Sequence, residues 1–291
     1  MACSVIIPCC NEYPQVLFTV QSVLEGGADE VIVVSNKSTD KTNEYFGNLR
    51  NKKVKFFIKD DKLSHWQAKN LGIQESSGDL LFFVDSHCII GADTLGHLAS
   101  FIKDGKDIAH CVIHYMLDDK PLIYVPRFEL FNYRFSGFPP TTVPFKVPVM
   151  STCGMMCPRK VMDEIGGWNT ELGIYGGGEA YINWKHGTCG YSHYVHPLAR
   201  CWHYAEKRGY SWNYDDFMRN EFIAAYCVGG EEWLDRMIDS RKKKPSARIE
   251  DIDAVALDVI TKCKADRDFI KSKQIMTYDE FVLKDKEDGA K

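Results

Sequence analysis

The run Phe82-Phe83-Val84-Asp85-Ser86-His87 ends an apolar segment on a carboxylate and an imidazole. Two residues apart in extended chain, Asp85 and His87 project to the same side, so both can meet one metal ion at a sheet edge. Aspartate with histidine suits Mn²⁺ or another borderline divalent cation better than Ca²⁺, which prefers cages made of oxygen alone. The plain alternative is a turn aspartate beside an ordinary loop histidine. Position favours chemistry: the pair follows a strand expected in a parallel sheet, and such sheets bind ligands beyond the carboxyl ends of their strands.

The elements that must hold this pair are legible nearby. Cys3 to Pro8, Glu30 to Ser35, Val54 to Ile58 and Leu80 to Val84 predict strands. Val16, Val20, Val23 and Leu24 recur at helical spacing before Gly26-Gly27. Ser38-Thr39-Asp40 reads as a cap opening a helix through Tyr45 and Phe46, and a third helix is expected from about Ser64 to Glu75. Strands alternating with helices imply right-handed crossovers and a parallel sheet covered on both faces. Leu95, Leu98 and Ile102 then predict a helix, Ile108 to Tyr115 a strand, and Pro158 to Ile165 another helix. Phe135 to Val149, with four prolines, reads as an irregular surface excursion. From Asp215 the pattern is helical, with Met218, Phe222 and Tyr226 on one face and a stripe of Ile252, Val255, Ala256, Val259 and Ile260.

Composition narrows the class. At 291 residues, 45% apolar and 26% charged, the chain is globular rather than disordered, collagenous or coiled coil throughout. A net charge of −4 does not draw the whole surface to nucleic acid, although a local basic patch stays open. Eleven cysteines of irregular spacing, Cys9 and Cys10 adjacent, argue against a disulfide framework and for a reducing compartment. No Cys-x-x-Cys pair repeats, so a structural zinc site has little support. The amino terminus lacks a basic segment and a long apolar stretch. The expectation is a protein without stable membrane insertion, cytoplasmic in a bacterium or a virus-infected cell.

A series of short segments, in order, resembles a known family. Ser4-Val5-Ile6-Ile7-Pro8 with Asn11-Glu12, Val31 to Val34, Ser38 to Thr42, Ala68-Lys69-Asn70-Leu71-Gly72, Ser77-Gly78-Asp79 and Asp85-Ser86-His87-Cys88 are similar to the start of a family 2-type GT-A glycosyltransferase. Asp-Ser-His-Cys, a variant of the usual Asp-x-Asp, is similar to the catalytic domain of polypeptide N-acetylgalactosaminyltransferases. Tyr175-Gly176-Gly177-Gly178-Glu179 resembles their Trp-Gly-Gly-Glu segment, and Cys189-Gly190, Pro197, Arg200 and His203 follow. The resemblance covers roughly residues 3 to 204.

It implies an α/β GT-A fold: a Rossmann-like, mostly parallel sheet flanked by helices over residues 1–212, with a helical extension over 213–291. Residues 1–90 would be the nucleotide-binding half and 91–212 the acceptor and catalytic half. The activity implied is that of a hexosyl- or pentosyltransferase using a nucleotide-sugar donor and Mn²⁺ or Mg²⁺. Asp85, His87 and His203 would hold the cation, which would stabilise the departing diphosphate as a Lewis acid. An aromatic-cluster histidine is the alternative for His203. Glu179 is the candidate catalytic carboxylate, either deprotonating the acceptor or stabilising oxocarbenium charge; a helix N-terminal acid is the alternative. The preceding glycines, Gly177 and Gly178 among them, would let the backbone approach the sugar. Pro8, Asn11, Glu12, Ser35, Asn36, Lys69, Asn70, Ser86 and Gly154 complete the expected donor site. Ser35-Asn36 replaces two aspartates common in relatives, which opens the choice of base, because an amide both accepts and donates. Lys207 and Arg208 would add phosphate contacts, or form a solvated surface pair.

For the acceptor, the aromatic series Tyr175, Tyr181, Trp184, Tyr191, Tyr194, Trp202, Tyr210, Trp212 and Tyr214 suggests a platform. With Arg241 to Lys244 and Arg248 it suits a base in nucleic acid, such as a hydroxymethylated base of the kind some viruses of bacteria glycosylate. A cell-envelope glycan or lipid-linked sugar is the rival acceptor, with the basic run as a membrane-surface contact or solvated linker. A degenerate binding module is the non-enzymatic reading; the metal triad speaks against it. A nucleotidyltransferase would ordinarily show a glycine- and lysine-rich phosphate loop where Cys9-Cys10-Asn11-Glu12 stands.

Overall fold

The apolar runs of the first ninety residues form strands buried in a sheet. In the computed structural model, residues 1–61, 63–105, 107–117, 119–204, 211, 213–243 and 251–289 are described. Strands β1 (Cys3–Cys9), β2 (Glu30–Asn36), β3 (Val54–Lys59) and β4 (Leu80–Phe83) run parallel in the order β3-β2-β1-β4. Helices α1 (Gln15–Glu25), α2 (Thr42–Asn48) and α3 (His65–Glu75) make the crossovers. The start of α3 is set locally by a capping box: the Ser64 hydroxyl accepts from the Gln67 N–H, and the Gln67 side chain accepts from the Ser64 N–H.

Beyond β4 the sheet becomes mixed. After β5 (Cys88–Ile90) and α4 (Thr94–Lys103) come β6 (Ile108–Tyr115) and the hairpin β7 (Pro121–Arg127) and β8 (Asn132–Gly137). Then follow β9 (Phe145–Val147), β10 (Met155–Pro158), α5 (Arg159–Ile165), α6 (Gly178–Thr188) and β11 (His193–His203). Strand β10 inserts antiparallel between β4 and β6, and β11 runs parallel to β6 and antiparallel to β5. Among the described residues eleven strands form one sheet. The expected excursion at 135–149 is thus partly ordered: it contains the end of the β7–β8 hairpin and strand β9. The long strand β11 was not expected, because Pro197 breaks its pattern; the ladder with β6 shifts register between His196 and Arg200.

Strand alternation divides the core in two. Val5 and Ile7 face α1 and α4, with Val16, Val20, Leu95 and Leu98. Ile6 faces the other way, toward Trp66 of α3 and Trp184 of α6. The remaining helices, α7 (Tyr214–Ala224), α8 (Glu231–Lys242), α9 (Ile252–Lys273) and α10 (Tyr278–Gly289), contribute Met218, Phe222, Met237, Val259 and Tyr278 to that second core. The helices after residue 213 are therefore built into the body that carries the sheet. Among the described residues no helix is long and apolar enough to cross a membrane.

Candidate metal and donor site

Strand β4 is buried along its whole length and delivers Asp85 to the carboxyl edge of the sheet. Ser86 and His87 turn rather than extend, so Asp85 and His87 converge through the turn. His203 arrives at the end of β11, paired in register with Cys88. His87 Nε2 and His203 Nε2 lie 3.1 Å apart, and His203 Nε2 is 3.4 Å from an Asp85 oxygen. Ligand atoms from the three residues all fall within 4.8 Å of one another. Two imidazole nitrogens this close must share a proton or a cation. The other nitrogen of His87, Nδ1, lies 3.4 Å from Glu12, the carboxylate–histidine arrangement that orients a metal-binding imidazole. The donor set therefore fits a borderline divalent cation with open positions.

The electrostatics agree. Burial works against charge on Asp85, but the His203 hydrogen bond, with His65, Lys69 and His87, outweighs it and holds the carboxyl well below the usual carboxylate range. Burial likewise disfavours the His87 cation, yet Glu12 and Asp85 outweigh it and raise that group. Asp85 is thus held ionised in a buried position among imidazoles.

Two clefts meet at Asp85 and His65. One is lined by Pro8, Cys10, Glu12, Asn36, Ser86 and His87, among others. The second is lined by Glu179, Tyr124, Tyr133, Phe135, Tyr175 and His203, among others. Glu179 sits in the first turn of α6 and reaches the second cleft. Lys69 is fully buried between the Trp66 and Trp168 rings, at 5.3 and 5.5 Å, and its ammonium donates to Thr152 Oγ1 at 2.7 Å. Burial lowers its pKa against the pull of Asp85 and Glu179. It stands behind the site as a buried cation.

Several expected donor residues also have structural duties. Asn70 commits both amide atoms to the Trp168 backbone. Asn36 does the same with Leu63, at 2.6 and 2.8 Å, so reading a base would require it to release that backbone. The Ser35 hydroxyl donates to Asn43, and Asn11 Oδ1 accepts from the N–H groups of Thr39 and Asp40. The glycines make room for neighbouring protein atoms. A Cβ at Gly176 would overlap Phe217, at Gly177 Asn220, at Gly178 the Trp66 ring, and at Gly154 the Cys111 sulfur. Of the aromatic series, Tyr181 and Trp184 are core, the Trp202 N–H donates to Asp119, and Tyr175 lines the cleft. Arg241 is buried in an ion pair with Glu221, which removes it from any phosphate-binding run, and Lys242 pairs with Asp253 at the surface. Lys207, Arg208, Tyr210, Trp212, Lys244 and Arg248 lie outside the described residues.

Other groups at the site were not expected. His65 opens α3 with Nε2 3.5 Å from Asp85; the capping box at the end of a βα loop was its signal. Tyr124 and Tyr133 stack at 4.3 Å on the hairpin, flanked by Phe135. Their alternation was present in the sequence but masked by Pro121 and Pro126. Asn220 of α7 is fully buried and clamps the glycine loop, accepting from the Gly173 N–H and donating to the Tyr175 and Gly176 carbonyls. Nothing local in the sequence marks it.

Comparisons with known proteins place this geometry. The chain is 25% identical over 269 residues to polypeptide N-acetylgalactosaminyltransferase 11 of Xenopus tropicalis, covering 81% of this chain and 43% of that protein. It is 26% identical over 231 residues to the inactive polypeptide N-acetylgalactosaminyltransferase-like protein 5 of Macaca fascicularis, covering 70% and 52%. The chain thus spans about half the length of these curated relatives. A crystal structure of GalNAc-T7 with UDP, GalNAc and Mn²⁺ superposes with a TM-score of 0.77 at 19% identity, over 97% of this chain and 56% of that one. Residues 1–349 of Staphylococcus aureus TarS superpose with a TM-score of 0.58 at 16% identity, over 98% and 90%. The fold is GT-A. With the family model described as "Glycosyl transferase family 2" matching residues 4–166, more than half of the sequence, the chain belongs to glycosyl transferase family 2.

Proposed function

We propose that this chain is a metal-dependent hexosyl- or pentosyltransferase that moves a sugar from a nucleotide-sugar donor to an acceptor hydroxyl. The observation that carries this reading is the Asp85–His87–His203 constellation at the seam of two clefts, one for the nucleotide and one for the acceptor. A divalent cation there, Mn²⁺ or Mg²⁺, would stabilise the diphosphate leaving group as a Lewis acid. Glu12 orients His87, and Lys69 offsets the negative charge of Asp85 from behind. Glu179, across the second cleft, either takes the acceptor proton or faces positive charge developing on the sugar. In this reading residues 1–90 hold the donor, 91–212 supply the acceptor and catalytic groups, and the later helices brace the loop before Glu179.

The stacked Tyr124 and Tyr133 offer a ring face to the acceptor. Among the described residues lining that cleft none is a lysine or arginine, which favours an uncharged glycan hydroxyl. A hydroxymethylated base in nucleic acid is the second reading, favoured by the same stacking surface. The test is a donor screen by nucleotide release with Mn²⁺, followed by an acceptor screen. Release that survives a chelator, or no release from any nucleotide sugar, overturns the proposal. Salt-sensitive binding of labelled DNA, with no glycan product, moves the acceptor to nucleic acid.

A further inference from the structure

Behind the Asp85 centre three sulfurs converge from separate segments of the chain, with a fourth cysteine nearby. Cys88 opens β5, Cys111 lies in β6, Cys153 precedes β10 and Cys201 lies in β11. All four are buried. The sulfurs of Cys88 and Cys153 are 3.4 Å apart, and those of Cys88, Cys153 and Cys201 lie within 4.8 Å of one another. The Cys111 sulfur occupies the space that a Cβ at Gly154 would fill and stands outside that group of three. A tetrahedral site with metal–sulfur bonds of about 2.3 Å has sulfurs about 3.8 Å apart, inside this spread.

We propose that Cys88, Cys153 and Cys201 form a second metal site, a three-thiolate cluster for a thiophilic divalent cation of the Zn²⁺ class that ties β5, β11 and the segment before β10 together beneath the Asp-His-His centre. Each sulfur that binds gives its proton to solvent, and the metal changes no oxidation state. Cys153 also lines the second cleft, which supplies an entry path. The buried Lys69 ammonium is charge-coupled to Cys88 and Cys153 and offsets part of the anionic charge the cluster would carry. No spacing motif announces the site, because its ligands are brought together by sheet order rather than by neighbouring positions.

The experiment uses Cd²⁺ alone as probe, because cadmium–thiolate bonds give an ultraviolet charge-transfer band that carboxylate and imidazole ligands do not. The reduced full-length chain carries Asp85→Ala, to remove the first centre, and Cys10→Ser with Cys189→Ser, to remove the two half-buried thiols. The expected result is one equivalent of Cd²⁺ bound with the band, displaced by Zn²⁺, and a raised Tm. Adding Cys201→Ser, or Cys153→Ala should the first variant not fold, abolishes the band while circular dichroism stays native. No band at one equivalent, or a band that survives whichever of these variants folds, overturns the proposal and leaves the sulfurs as apolar packing.

Discussion

Asn220→Ala tests how the catalytic carboxylate is held. The Asn220 side chain accepts from the Gly173 N–H at 2.7 Å and donates to the carbonyls of Tyr175 and Gly176 at 3.0 and 2.9 Å, with no solvent exposure. Alanine leaves three backbone groups without that partner. At ~1 kcal/mol for each buried hydrogen bond lost, the fold loses about 3 kcal/mol. Denaturant unfolding with linear extrapolation reads this directly. The same loop leads into α6 and Glu179, so kcat should fall by about tenfold or more, as expected when a positioning contact is lost. Binding of the free nucleotide diphosphate should stay near wild type, since Asp85, His87, Glu12 and Asn36 are untouched. Asn220→Asp should be no better, because a buried carboxylate would face two carbonyls. A variant within about 0.5 kcal/mol of wild type and with unchanged kcat would refute the clamp. Equal losses in kcat and nucleotide affinity would show that the loop serves the donor instead.

Asp85→Ala should abolish Mn²⁺-dependent nucleotide release while the chain still unfolds cooperatively; activity that persists in the variant or in chelator refutes the metal centre. Glu179→Gln should lower kcat by roughly 10²–10⁴, the range of a lost general base, with donor KM little changed. Tyr124→Ala should raise the acceptor KM and leave hydrolysis of the donor by water intact; a purely donor-side defect would place the stack elsewhere. Burial holds His110 and His193 neutral, lowering them to about 4 and about 3 from 6.5. Their folded values lie below the unfolded one, so the unfolded chain binds more protons between those limits. Stability is then full above pH 6.5 and falls with acid, by about 2 kcal/mol per histidine at pH 5. A denaturation midpoint flat between pH 7 and 5, or unaffected by His110→Gln, would contradict this.

What could be read from the sequence was local, and what could not was brought together by folding. Leu80 to Val84 is apolar because both faces of β4 are covered, and that pattern carries the chain to Asp85 without outside help. The Ser64–Gln67 box likewise marks the start of α3 within four residues. The glycine run is the opposite case. Its conformational freedom was apparent, with φ of 84° at Gly176 and 70° at Gly177, but its purpose depends on Phe217 and Asn220, more than forty residues away. Asn36 and Asn70 carry the same lesson, since an amide suited to a base is equally suited to a backbone.

The division of labour around Asp85 explains why the metal triad was legible when its supports were not. Each ligand sits at or beside a strand end, and strand ends are set by runs of apolar residues that sequence displays openly. The supports come from elements that reach the site across a core: Glu12 from the loop after β1, Lys69 from the buried face of α3, Asn220 from α7. Lys69 is the sharpest example. It has the composition of a surface residue; Trp66 lies one turn away on the same helix, but Trp168 and Thr152 belong to segments it meets only in the folded state. An uncompensated ammonium in that position would cost several kcal/mol. It is tolerated because Asp85 and Glu179 place negative charge on its far side. Donor chemistry and the stability of the core are therefore coupled through one buried cation: neutralising Asp85 should loosen Lys69, and replacing Lys69 should leave Asp85 easier to protonate.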